Sequence, residues 1–145
     1  DPADRWSETG STFVNRTCDC IGGAAWIGGW DRFQPIRFAH LYGGWINTDS
    51  MRMDAGGPAK CFARLTTPEP GCYVVCASGS PGHAIGHIGT VIAVPAGWDR
   101  SDRAAWEALQ VVDVAMRTPR PANQVPTARG WFGTDAWFIV PTMQP

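Results

Sequence analysis

Charge of either sign is scarce and balanced: 12 Lys and Arg stand against 13 Asp and Glu, for a formal net charge of −1. A chain with no excess of positive charge has no electrostatic footprint for a phosphate backbone, so nucleic acid is not an expected partner. Long apolar runs are missing too. Nothing approaches the roughly 20 residues of a membrane span, and no basic-then-apolar leader opens the chain, so a soluble protein without membrane insertion is expected. The chain opens on Asp1 rather than Met, as expected of a processed or excised domain. A disulfide framework is also lacking, because five cysteines cannot all pair within one chain. Their spacing is not that of a zinc knuckle either. One residue separates Cys18 from Cys20 and three separate Cys72 from Cys76, where two would be usual, so no metal site is expected from these cysteines.

With 145 residues the chain is long enough for one domain with a real core and too short for two, so a single domain over 1–145 is expected. Internal repeats and low-complexity segments are absent. Residues 1–17 are polar and irregular. A short helix is expected over 19–28, capped by Asp19. Its glycines make "CIGGAAWIGG" a poor helix on propensity alone, so it must be packed, its small residues letting neighbouring backbone come close. "NTDSMRMDA" predicts a second helix, capped by Asn47 or Thr48 and ended by Gly56, Gly57 and Pro58.

After the turn "PEPG" the pattern changes to strands, at 72–77, 86–94, 109–116 and 136–141. Between them only "DRSDRAAWEAL" reads as helix, with Ser101 as its cap. A helix followed by an antiparallel sheet is an α+β domain.

A cysteine becomes a nucleophile when its thiolate is stabilised, and a helix N-terminus does so through its dipole and its amides. Cys20 is placed there, and the same amides, with Asp19 as cap, suit the oxyanion of an acyl-transfer intermediate. A base is also needed, and the chain has only His40, His83 and His87. His87 opens the strand "HIGTVIAV". Alternation puts it on one face with Gly89, Val91 and Ala93, with open space expected at Gly89. The bland alternative is an ordinary strand-end histidine. His40 and His83 lie in loop-like surroundings, where solvated histidines are expected. Asp113 interrupts the apolar run "VVDVA". A carboxylate between valines is costly unless it is paired or wet, which makes it the candidate to orient the imidazole. Cys72 and Cys76 share a strand face, and packing is their expected role.

In order, "CDCIGGAAW", "PEPG" leading into a strand, "GHIGTVIAV", "VVDVA" and "AWFIVP" resemble the NlpC-type cell-wall cysteine peptidases, papain-like enzymes that cut bacterial peptidoglycan peptides. The match runs over roughly residues 17–141. The resemblance implies a papain-like fold, an N-terminal helix carrying the cysteine packed on an antiparallel sheet of about four to six strands. It makes Cys20 the nucleophile, His87 the base and Asp113 the orienting residue, where relatives often carry histidine, asparagine or glutamine. Two departures stand out: Ile21 and Gly22 replace the usual serine and large apolar residue after the cysteine, and Gly71–Cys72 replaces a "PGD" strand start.

"GGWINTDSM" and the eight tryptophans look most like the peptidase domains of bacteriophage lysins. On this reading Tyr42, Trp45 and Gly86 contact substrate, no cofactor or metal is implied, and the chain is a monomer acting on the bacterial cell wall. The implied activity is stem-peptide endopeptidase. The alternatives are an N-acetylmuramoyl-L-alanine amidase with the same residues, or an inactive module that binds wall peptide.

Overall fold

The computed structural model describes residues 20–30, 38, 40–44, 46–58, 61–113, 127–128 and 132–142. The first helix, α1, spans Cys20–Gly28. Gly29 turns into the left-handed region at φ +70°, which a residue without Cβ does at no steric cost, and the Trp30 amide then reaches back to the Ala25 carbonyl at 3.0 Å. As its composition requires, α1 is held by packing. Ile21, Ala24 and Ala25 are buried, and the Tyr73 hydroxyl lies against the helix, within 3.4 Å of the Ala24 carbonyl. There is no room for a side chain at Gly28, where a Cβ would collide with the Tyr73 hydroxyl and the Trp30 indole. Gly28→Ala is therefore expected to cost about 1–3 kcal/mol in urea unfolding, the usual range for overpacking.

A 3-10 turn at Tyr42–Gly44 leads to α2, Thr48–Gly56. Of the two candidate caps it is Asn47 that acts. Its side chain accepts from the Ser50 amide while the Ser50 hydroxyl receives the Asn47 amide, both at 2.8 Å, a reciprocal box that satisfies two donors at once. Strand β1, Phe62–Leu65, follows, then β2, Tyr73–Cys76, β3, His87–Ala93, the helix α3, Arg103–Ala108, β4, Gln110–Asp113, the two-residue β5, Thr127–Ala128, and β6, Trp137–Pro141. The cap of α3 is Asp102, whose carboxylate accepts from the Ala104 amide, rather than the expected Ser101. Ser101 is occupied one step earlier, its amide and hydroxyl both donating to Asp99.

The strands form one antiparallel sheet in the order β1-β6-β2-β3-β4-β5, so the domain is α+β. β2 is buried on both faces and sorts its side chains by parity. Tyr73 and Val75 join Ile21, Ala24, Ala25, Met51 and Ile88 in a core under α1 and α2. Cys72, Val74 and Cys76 join Trp106, Leu109, Val111 and Phe138 in a second core under α3. Packing is thus what Cys72, just before β2, and Cys76 do. No described helix is long and apolar enough to cross a membrane.

Candidate active site

β3 is an interior strand, flanked by β2 and β4, and His87 is its first residue. The register sets Gly89 opposite Asp113, which puts Asp113 diagonally across from His87 on the same face. There His87 Nε2 and Asp113 Oδ2 are 2.7 Å apart. Both residues are nearly withdrawn from water, at 6% and 4% exposure. A carboxylate costs heavily in such a place unless it has a partner, and the imidazole is that partner. The bond fixes the tautomer: with Nε2 donating to the carboxylate, Nδ1 is the nitrogen able to exchange a proton with a nucleophile or substrate. This is the arrangement a general base needs from its orienting group.

The ring plane of the imidazole is held as well. His83 stacks on His87 with centroids 5.4 Å apart and planes 5° from parallel, and Phe132 lies 5.5 Å from it at 23°. His83 is buried rather than solvated as expected, because the loop between β2 and β3 folds it inward through a tight turn in which its amide donates to the Ser80 carbonyl. The space expected beside Gly89 is also filled: a Cβ there would meet Val111 Cγ1, the Val112 carbonyl at 3.2 Å and Phe132 at 3.3 Å. Gly89 serves close packing, not an opening.

Gly86, ahead of His87, takes a φ of +78°, and a Cβ on it would collide with the Thr48 hydroxyl. The start of α2 therefore braces the entry to β3. Asp49 in the same turn accepts from the Ser78 amide at 2.9 Å. Beside this brace Ile85 is 76% exposed, the most exposed large apolar side chain described.

Cys20 is half-buried at the first turn of α1, its side chain packed against the α1–α2 core, and α1 lies against β3 and β4. The first turn of a helix presents amides that have no acceptor within the helix, the chemistry an oxyanion requires. The strand registers add a constraint that no sequence pattern carries. α1 packs on the face of Tyr73, Val75 and Ile88, whereas His87 and Asp113 point to the face of Val74, Val91 and Val111. In an interior strand the two faces communicate only around the strand's end, which is where His87 stands. The structure thus unites His87 with Asp113 and puts Cys20 on a neighbouring helix. Asp19, Trp45 and the Tyr42 side chain lie outside the described residues.

The thiols of Cys72 and Cys76 are poor nucleophiles. Burial pushes the Cys72 thiol up to about 11, and burial reinforced by the Asp135 charge pushes the Cys76 thiol up to about 12. Cys76 pairs across the sheet with His87, yet a fully buried thiol that keeps its proton cannot attack a polymer. Neither thiol should react with iodoacetamide at pH 8 in the folded protein, and both should react once it is unfolded, as peptide mapping would show. The sign of the linkage follows. Unfolded thiols ionise near 9 while the folded ones hold their protons, so stability is level below pH 9 and falls as pH climbs toward 11–12.

One cluster was not signalled by sequence spacing. His40, Asp54 and Cys61 come together where the segment before α2, the last turn of α2 and the approach to β1 meet. No family model matches the chain, and comparison with curated proteins and with solved structures finds no matching relative.

Proposed function

We propose that the chain is a papain-like, NlpC-type peptidoglycan hydrolase that cuts an amide bond in bacterial stem peptides through a thioester, with Cys20 as nucleophile, His87 as base and Asp113 as the residue that orients it. The observation that carries this reading is the buried His87–Asp113 pair at 2.7 Å, set by register at the end of an interior strand against whose other face a helix beginning on a cysteine packs. Proton transfer from Cys20 to His87 Nδ1 yields the thiolate, which attacks the peptide carbonyl. The oxyanion is held by amides of the first turn of α1, that of Cys20 included. As the intermediate collapses, the C–N bond breaks and His87 returns the proton to the departing amine. Water then enters, His87 takes its proton, and the thioester is hydrolysed. Throughout, Asp113 keeps Nε2 protonated and stabilises the imidazolium.

The placement of α1 and the imidazole on opposite faces favours a second reading, a module that holds wall peptide without cutting it. Purified peptidoglycan separates the two. Hydrolysis releases peptides with new amino groups and no new reducing ends, since the site offers a thiol and, among the described residues, no pair of carboxylates suited to glycosidic bonds. Mass spectrometry of the muropeptides then tells stem-peptide cleavage from amidase cleavage at the first alanine. Retention on peptidoglycan with no new amino groups would establish the binding module, and reducing ends alone would refute both.

A further inference from the structure

We infer that His40, Asp54 and Cys61 hold a zinc-class divalent cation. One ligand atom from each residue lies within 4.8 Å of the other two, and the three are of different chemical kinds: an imidazole nitrogen, a carboxylate oxygen and a thiol sulfur. That mixture suits zinc and not calcium or magnesium, which take oxygen. The closest pair, His40 Nε2 and Asp54 Oδ1, is 2.8 Å apart. Tetrahedral zinc with bonds of about 2.0–2.3 Å sets neighbouring donors roughly 3.3–3.6 Å apart. A cation therefore seats if nitrogen and oxygen open by about half an ångström, with the Cys61 sulfur already within 4.8 Å of both.

The carboxylate is already oriented for this. Its other oxygen, Oδ2, accepts from the backbone amides of Cys61 at 3.0 Å and Phe62 at 2.8 Å, which pins Asp54 and aims Oδ1 at His40. Supporting bonds of this kind are what fix metal-binding carboxylates elsewhere. Asp54 and Cys61 are buried, while the His40 side chain is 42% exposed, giving a route of entry from solvent. Three protein donors leave a fourth tetrahedral position for water on that side. Seating the cation releases the thiol proton and needs the imidazole neutral, so affinity falls in acid.

The site ties the segment before α2 and the end of α2 to the start of β1. It sits at the other end of α2 from Thr48, which braces Gly86, and it stands or falls independently of the proposed hydrolysis.

Titration of the purified chain with Co²⁺ tests it. The expected result is one Co²⁺ per chain with a near-ultraviolet thiolate-to-cobalt charge-transfer band, displaced by Zn²⁺, together with a rise in Tm on adding Zn²⁺ that EDTA reverses. Cys61→Ser should abolish the band, and the half-exposed His40→Ala, which keeps the test readable if Cys61→Ser fails to fold, should weaken Co²⁺ binding at least tenfold. Cys20→Ser should leave the band intact. Absence of the band at stoichiometric Co²⁺, or a band that survives Cys61→Ser or is lost in Cys20→Ser, would overturn the assignment.

Discussion

Cys20→Ala is expected to abolish release of amino groups from peptidoglycan, a loss on the order of 10⁴-fold or more, while Cys18→Ala leaves the rate within a few-fold of the parent. The two residues are close in sequence and differ in one physical respect. Cys20 is the first residue of α1, where the helix dipole and the first-turn amides stabilise a thiolate; Cys18 comes two residues before that start in the sequence and lies outside the described residues. In the proposed mechanism, removing Cys20 takes away the bond-forming atom. Its half-buried position at a helix start makes the alanine easy to accommodate, so the far-ultraviolet circular dichroism should not change. An active Cys20→Ala beside a dead Cys18→Ala would defeat both the helix-start reasoning and the family resemblance.

The second large effect belongs to Asp113. Asp113→Ala is expected to lower kcat by about 10³–10⁴-fold, the scale on which an imidazole in the wrong tautomer fails. KM should change little, because the carboxylate is buried and bonded to the imidazole rather than facing solvent. The alanine also leaves His87 buried without its carboxylate, which is expected to cost about 1–3 kcal/mol of stability. Asp113→Asn separates the two effects: it keeps the shape and a hydrogen-bonding group, so it should fold like the parent and still lose most of its kcat. An Asn variant with full activity would remove Asp113 from the mechanism. The role would then pass to Gln110 or Asn123, the next candidates in the sequence; Gln110 is exposed at the far end of β4, opposite Ala93, and Asn123 lies outside the described residues.

What could be read in the sequence was local chemistry. Asn47 and Ser50 close their box within one turn, so the start of α2 was legible to within one residue, with Asn47 and Thr48 both open as caps, and β2, β3 and β6 declared themselves by apolar runs between turns. Asp113 was legible as an anomaly, since a carboxylate in an apolar strand demands a partner. Non-local features were not legible. β1, "FARL", has no alternation of its own and exists because β6 pairs with it and because the Asp54 carboxylate at the end of α2 orients the amides at its entry. The space at Gly89 looked open because Val111 and Phe132, which fill it, arrive from other parts of the chain. His83 looked like a loop histidine because nothing in its neighbourhood announces the stack on His87 and Phe132. Parity told which residues share a face with His87, but not which face α1 would cover. The His40–Asp54–Cys61 cluster was hidden for the same reason, each residue being ordinary in its own segment.

Coupling between Cys20 and His87 is the central claim, and the pH dependence of Cys20 alkylation tests it most directly. In a Cys18→Ala background, with Cys72 and Cys76 buried, iodoacetamide incorporation at Cys20 is followed by peptide mapping from pH 8 to pH 6. An ordinary thiol loses about tenfold in rate per pH unit over that range. The account predicts that Cys20 keeps most of its rate down to pH 6 and that His87→Ala restores the ordinary steep fall. A Cys20 that falls about tenfold per unit in the parent, or whose profile is unmoved by His87→Ala, would contradict it.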